Sequence, residues 1–161
     1  MSEDKLDILE ESAIALVRQP SNSMRAILGG KAINEDAGFG DLDLIKLARK
    51  GLKKETLVSL ASYLDVTMDQ LSVLLHTSYR NLLRKDATDV LDSYKTEKVL
   101  ELAAFASRGI EVIGSKKGFQ HWVHSPILAL GNRKPLEFLD TTFGIQMVIK
   151  ILGRLEQGVY S

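Results

Sequence analysis

The most informative part of the sequence is residues 131–161, GNRKPLEFLDTTFGIQMVIKILGRLEQGVYS. Pro135 predicts the start of a short helical turn, because its missing N–H and fixed φ cost nothing in the first turn of a helix. The run Asp-Thr-Thr at 140–142 predicts the N-terminus of a last helix, because its side-chain oxygens can accept hydrogen bonds from the free N–H groups there. Gly158 is typical of a helix end. The sequence therefore predicts a helical C-terminal unit.

This last helix is apolar on more than one side. A helix that packs on one side needs a single apolar stripe, yet the spacing at about 100° per residue predicts two neighbouring stripes here. The first stripe contains Ile145, Val148, Ile149, Leu152 and Leu155. The second contains Phe143, Met147 and Ile151, with Arg154 on the same side. We expect the first stripe to pack on the long helix and Trp122, and the second to be exposed unless a partner covers it.

Composition narrows the class of protein. A chain of 161 residues with 45% apolar and 26% charged residues suggests one domain, or two small helical ones that share a core. It has no apolar run of about 18 residues that could span a membrane, and its acidic N-terminus lacks the pattern of a signal peptide. With no cysteine, disulfides and thiolate metal sites are excluded, and a cytoplasmic protein is expected.

Almost the whole chain reads as helix, so the predicted fold class is all-α. Few runs show the alternation that is typical of strands. Loops are expected at Pro20–Ser23, at Gly29-Gly30 and over residues 35–40. Helices are expected over residues 4–18, from Asp41 as the cap to Gly51, from about Lys53, over 68–75, from Tyr79 to about Asp86, over 94–113 and over 116–124. The long helix would bury Val99, Leu102, Ala103, Ala106, Ile110 and Ile113, and Gly109 within it suggests a close packing partner.

Residues 68–85 have the pattern of a helix-turn-helix. Thr67 and Gln70 have capping-box spacing, and Ser78 can cap the second helix. A small core would come from Leu71, Leu75 and Leu82. Because an α-helix fits the major groove and its N-terminal residues reach the base edges, the second helix is the candidate DNA-reading element. The candidate DNA-binding residues are Ser78, Tyr79, Arg80, Asn81, Arg84 and Lys85.

Two properties of this segment bear on DNA binding. His76 stands where the turn usually has glycine, at a position that requires φ > 0, and histidine tolerates such a φ better than most residues. Residues 46–90 carry eight basic and five acidic side chains, whereas residues 1–45 carry four and nine. Two interpretations stay open, a DNA-binding unit and a plain trihelical packing unit that no longer binds DNA.

The chemistry that an enzyme needs is not visible in the sequence. His121 and His124 have a spacing that could in principle serve a metal, but no cysteine or obvious carboxylate partner accompanies them. The stretch 114–118, GSKKG, lacks the preceding strand and the spacing of a phosphate loop. We therefore expect no catalytic residues, no metal and no cofactor.

The C-terminal stretch resembles the toxin-binding domain of the MbcA/ParS/Xre family of bacterial antitoxins. The resemblance consists of Gly131, the pattern Pro-Leu-x-x-Leu-Asp-Thr at 135–141, Gly144, an apolar helix, and Gly158 followed by three residues. The stretch from Gly51 and the helix after it resemble the segment that leads into the helix-turn-helix of Xre-like antitoxins. Asn81 stands where that family often has threonine.

This resemblance implies a function. It implies an antitoxin that oligomerises, covers the active site of a RES-domain toxin that depletes NAD, and represses the promoter they share. It implies a helix-turn-helix domain over residues 46–105 and a toxin-binding domain over 106–161, with no role assigned to 1–45. Toxin would contact Phe143, Met147, Ile151 and Arg154, and the tail of Val159, Tyr160 and Ser161 would point toward its substrate pocket. The alternative is a stand-alone helical transcription regulator whose C-terminal helix only dimerises.

Overall fold

The fold is organised around one long helix. The structure is a computed structural model that describes residues 20–30, 33 and 38–158. No strand occurs within these ranges, where isolated bridges pair Lys53 with Val90 and Ile127 with Arg133, so the predicted all-α class is confirmed. The helices are α1 (Pro20–Ile27), α2 (Asp41–Lys50), α3 (Glu55–Leu64), α4 (Met68–Leu74), α5 (Tyr79–Leu83), α6 (Ser93–Ile113), α7 (Lys116–Val123) and α8 (Thr142–Glu156), with 3-10 turns at Leu128–Leu130 and Pro135–Phe138.

The long helix α6 is the common packing partner of α1, α2, α3, α7 and α8. Because neighbours from both halves of the chain surround it, α6 is buried on more sides than the single predicted face. Leu100, Phe105 and Ser107 are buried in addition to the expected residues, whereas Ile110 and Ile113 near its end are only half-buried. One core cluster therefore runs through the described part of the chain.

At Gly109, α7 lies close against α6. A Cβ atom at this position would lie 2.3 Å from Cε2 of Phe119, so only glycine leaves room for that ring. Phe119 is fully buried and meets Phe105 edge to face, with the ring centroids 5.5 Å apart. The expected close partner of Gly109 is confirmed. Trp122, on which the first stripe of the last helix was expected to pack, is only half-buried, whereas Phe119 is fully buried against α6.

The N-terminal part differs from the expectation in two places. Residues 20–23 begin α1 instead of forming a loop, since proline is tolerated in the first turn of a helix. Gly40 rather than Asp41 caps α2, and its N–H donates a 3.3 Å hydrogen bond to Asp43 Oδ2. The helix expected over residues 4–18 lies outside the described residues.

Polar contacts also join the helix-turn-helix segment to the C-terminal helices. Gln120 Nε2 donates to the carbonyl of Ser62 at 2.9 Å, and His124 Nε2 donates to the carbonyl of Leu64 at 3.0 Å. Both carbonyls belong to the last turn of α3, where no further turn supplies partners. Within the described residues, none of the helices combines the length and apolar character needed to cross a membrane.

Candidate functional site

Local hydrogen bonds build the helix-turn-helix as the sequence predicted. Thr67 Oγ1 accepts from Gln70 N at 3.1 Å and Gln70 Oε1 accepts from Thr67 N at 2.9 Å, so both halves of the capping box form at α4. Ser78 Oγ accepts from Asn81 N at 3.1 Å and begins α5. The predicted core of this unit, Leu71, Leu75 and Leu82, is almost completely buried.

The second helix of this unit is shorter than expected. It was predicted to reach about Asp86, but α5 ends at Leu83. The reason is a pairing with a distant segment, because the N–H groups of Lys54 and Glu55 donate to the carbonyls of Asp89 and Ala87 at 2.8 and 3.0 Å. That pairing holds the chain after α5 in a turn and prevents another helical turn.

Five of the six candidate DNA-binding residues lie on the surface. Lys85 is half-buried, and its carbonyl accepts a hydrogen bond from the ammonium of Lys54. The exposed ones are Ser78, Tyr79, Arg80, Asn81 and Arg84. α5 thus presents Arg80 and Asn81 on the surface, and Arg84 follows directly after its end. Such side chains suit base edges and phosphates.

A cavity of about 370 Å³ adjoins this helix. Asn81, Arg84 and Lys85 line it together with Lys95 from the start of α6. Lys95 forms an ion pair with Asp92, and hydrogen bonds from its side chain and from its backbone N–H lower the pKa of the Asp92 carboxyl. Lys95 was not among the predicted residues, because nothing local in the sequence places it beside a helix that ends twelve residues earlier, at Leu83.

His76 joins the two halves of the molecule. Its φ is +53°, the left-handed conformation that the turn requires, and its Nε2 lies 2.7 Å from the carbonyl oxygen of Asp140. Because a carbonyl only accepts, the ring donates through Nε2–H, which makes this its protonated nitrogen. The residue that departs from the usual glycine therefore ties the turn to the residue just before the cap of α8.

The final helix begins as predicted. Thr141 Oγ1 accepts a 3.0 Å hydrogen bond from Gly144 N, and the 3-10 turn starts at Pro135. A Cβ atom on Gly144 would lie 1.9 Å from the carbonyl oxygen of Phe138, so the first turn of α8 lies directly on the preceding turn. This contact explains physically why a glycine follows the Leu-Asp-Thr run at this distance.

The two predicted stripes of α8 are wrong in their assignment of Ile149 and Ile151. Ile151, expected on the exposed side, is 8% exposed and belongs to the core, whereas Ile149, expected in the core, is 36% exposed. The buried arc is centred on Val148 and includes Ile145 and Leu152. Because α8 packs against α6 on one side and the 3-10 turn on another, the buried arc is rotated toward Ile151. Ile151 is therefore removed from the surface available to a partner.

Of the second predicted stripe and the arginine beside it, Phe143, Met147 and Arg154 are exposed. Phe143 is 85% exposed in the first turn and Met147 is 39% exposed one turn later. Arg154 is exposed two turns further on. We call these three residues the α8 face. The tail residues Val159, Tyr160 and Ser161 lie outside the described residues.

The two histidines considered as metal ligands have separate surroundings. His121 is exposed, and the ring of His124 is engaged with the carbonyl of Leu64. In the part of the chain that the structure describes, no group of three or more histidine or acidic side chains is arranged to hold a metal ion.

Comparisons with known proteins divide the chain into two matched segments. Residues 43–104 match the model of the antitoxin Xre-like helix-turn-helix domain, and residues 108–158 match the model of the antitoxin Xre/MbcA/ParS C-terminal toxin-binding domain. Since these two segments make up most of the chain, the chain belongs to the Xre/MbcA/ParS family of antitoxins. It is an antitoxin of a toxin–antitoxin system.

Two relatives illustrate this family. The protein "Antitoxin Xre" of Yersinia enterocolitica serotype O:8 / biotype 1B is 24% identical over 144 residues, which cover 88% of this chain and 95% of that protein. Among solved structures, the chain is similar to one in the crystal structure of the M. tuberculosis MbcT–MbcA toxin–antitoxin complex. That match has 18% identity and a TM-score of 0.49, and it covers 67% of this chain and 96% of the other.

Proposed function

We propose that this antitoxin binds its toxin through the α8 face and neutralises it by covering the active site. The observation that carries the proposal is the 85% exposure of Phe143, with Met147 beside it, in the segment that matches a toxin-binding domain. Aromatic residues, methionine and arginine are enriched in the centres of protein interfaces. An exposed phenylalanine also gains hydrophobic free energy when a partner removes it from water.

The toxin is proposed to be a RES-domain enzyme that depletes NAD. Family membership supports this choice, because such toxins are the typical partners of the Xre subgroup. Arg154 lies on the α8 face toward the C-terminal end of the helix, from which the tail 159–161 continues. Arg154, Tyr160 or the terminal carboxylate would then fill polar positions that NAD otherwise uses. Deleting residues 159–161 should leave the complex intact and release toxin activity, measured as NAD loss in cells that express both proteins.

The experiment that tests the α8 face compares two substitutions of the same kind. Met147 and Ile149 have similar exposure, 39% and 36%, but point to different sides of α8. Met147→Asp should weaken binding to the protein encoded by the neighbouring gene by about 100-fold or more, because it buries an unpaired charge in the interface. Ile149→Asp should leave the affinity within about threefold. Affinity would be measured by calorimetry after thermal melting shows that both variants are folded.

The result can contradict the proposal in two ways. Equal affinities for the Met147 and Ile149 variants would remove the α8 face from the interface. If the wild-type chain does not co-purify with the neighbouring gene product, the proposed partner itself is wrong. The chain would then be better described as a stand-alone regulator whose last helix serves dimerisation.

We also propose that an oligomer of the antitoxin, alone or with toxin, represses their operon through α5. The exposed Arg80, Asn81 and Arg84 support this proposal, because the first two lie on a capped helix at the surface and the third follows its last residue. The wild-type protein should shift a fragment of its own promoter at low salt and lose affinity as salt rises. Failure to shift that fragment, with or without toxin, would leave the segment as a packing unit only.

A further inference from the structure

A groove of about 290 Å³ lies beside the α8 face. It is bounded by the first turn of α8, the N-terminal half of α6 and the turn of the helix-turn-helix at His76. Its walls include Tyr94, Glu97, Lys98, Glu101, Thr142 and Phe143. Because Phe143 belongs both to this groove and to the α8 face, any partner that covers the face reaches the groove as well.

Lys98 brings an ammonium group to the lining of this groove. Lys98 is 5% exposed, and among the described residues none accepts a hydrogen bond from it or forms an ion pair with it. No side-chain nitrogen in the described part is both fully enclosed and unpartnered, and Lys98 lines the groove, so we infer that its ammonium is reached from there. Burial lowers the pKa of Lys98, whereas Glu101 and Asp140 act in the opposite direction. An ammonium with three unused donors at the lining of a groove favours a ligand that supplies an acceptor oxygen.

The walls carry the opposite charge. Glu97 is exposed and Glu101 half-buried, and within the described ranges neither forms an ion pair. Thr142 Oγ1 donates to Glu101 Oε2 at 3.2 Å, which fixes this carboxylate at the N-terminus of α8. Asp140 adds a third acidic residue to the lining. Since three acidic side chains and one lysine line the groove, it favours a cation over an anion.

Two aromatic rings border the same groove. Tyr94 is 58% exposed and Phe143 is 85% exposed. A guanidinium group binds carboxylates through paired hydrogen bonds and also stacks on aromatic rings, which a lysine ammonium does less well. Two carboxylates and two exposed rings around one groove therefore match arginine better than any other side chain.

We propose that this groove receives an arginine of the toxin, with the guanidinium between Glu97 and Glu101 and a main-chain carbonyl of the same toxin segment on Lys98. This inference rests on the proposed function, because its occupant is the toxin. It specifies that the toxin must present a positively charged arginine and, in the same segment, a free main-chain carbonyl. The complex is thus held by an apolar contact at the α8 face and an ionic contact next to it.

The test uses glutamine and methionine variants of the full chain with the toxin from the neighbouring gene. Glu97→Gln and Glu101→Gln should each lower the affinity about tenfold, and the double variant should flatten its dependence on sodium chloride. Glu111→Gln is the matched control, since this exposed glutamate lies on the same helix roughly 15 Å further along. The affinity of the Glu111→Gln variant for the toxin should not change.

Lys98→Met separates binding from folding. Methionine fills a similar volume without a charge, so the variant should melt at or above the wild-type temperature while its affinity for toxin falls about tenfold. If the double glutamine variant and Lys98→Met bind within about twofold of wild type while Met147→Asp does not bind, the groove proposal is wrong and the α8 face stands. If the glutamine variants change self-association of the antitoxin but not toxin binding, the occupant is a second copy and the proposal is overturned. If the wild-type chain binds no toxin, both proposals fail.

Discussion

Replacing Gly109 by alanine should destabilise the fold, although the same change usually stabilises a helix. Alanine is favoured over glycine in a helix interior by about 1 kcal/mol. At this position, however, the new Cβ would lie 2.3 and 2.4 Å from two atoms of the Phe119 ring. That ring is fully buried and fixed by its edge-to-face contact with Phe105. Overpacking of this kind costs roughly 1–3 kcal/mol, and a contact this short belongs at the upper end of that range. We expect a net loss of about 2 kcal/mol in the free energy of unfolding.

Gly153→Ala provides the matched control. It lies in the interior of α8, and no atom lies within 4 Å of the Cβ that alanine would add there. This variant should gain about 0.5–1 kcal/mol, because only the helix propensity changes. Denaturant unfolding followed by circular dichroism, analysed as a linear dependence on urea, gives both values. A Gly109→Ala protein as stable as wild type, or more stable, would show that α7 does not pack against α6 as described.

Three further predictions concern the core, the DNA surface and the turn. Leu152→Ala should destabilise the fold by about 2–5 kcal/mol in the same denaturation assay, because Leu152 is fully buried. A loss below about 1 kcal/mol would contradict its core position. Arg80→Ala should relax sequence specificity in promoter-binding assays, whereas Arg84→Ala should lower the affinity for all DNA sequences alike and reduce its salt dependence. The same effect from both substitutions would refute these roles. His76→Ala should be about 1–2 kcal/mol less stable than His76→Gly, because both variants lose the hydrogen bond to the carbonyl of residue 140 but only alanine is strained at this positive φ. Equal melting temperatures would mean that the turn relaxes.

Local features could be predicted because their causes lie within a few residues. The caps at Thr67, Ser78 and Thr141 each bind an N–H three residues ahead, so the side chain and its partner are adjacent in the sequence. Most of the buried positions on the helices were predicted from the same short-range periodicity. The glycine at 109 also signalled a close contact, although the sequence did not say with which ring.

The exposed surface of α8 could be predicted only in part. Periodicity gives the angle between side chains on a helix, but not which arc faces the rest of the protein. The neighbours α6 and the turn at Pro135–Phe138 decide that arc, and they bury Ile151 and expose Ile149. Phe143, at 85% exposure, lies well outside the buried arc, whereas Met147, at 39%, lies near its edge.

Most of the helices, the caps at Thr67, Ser78 and Thr141 and the order of the two units follow from the sequence, since these depend on bonds between near neighbours. What lies between those units depends on tertiary packing. It places His76 against the carbonyl of Asp140, 64 residues away, and brings Lys98 and the glutamates of α6 beside Phe143. Such contacts depend on how α6 and α8 pack against each other, and no spacing within either helix encodes the distance between them.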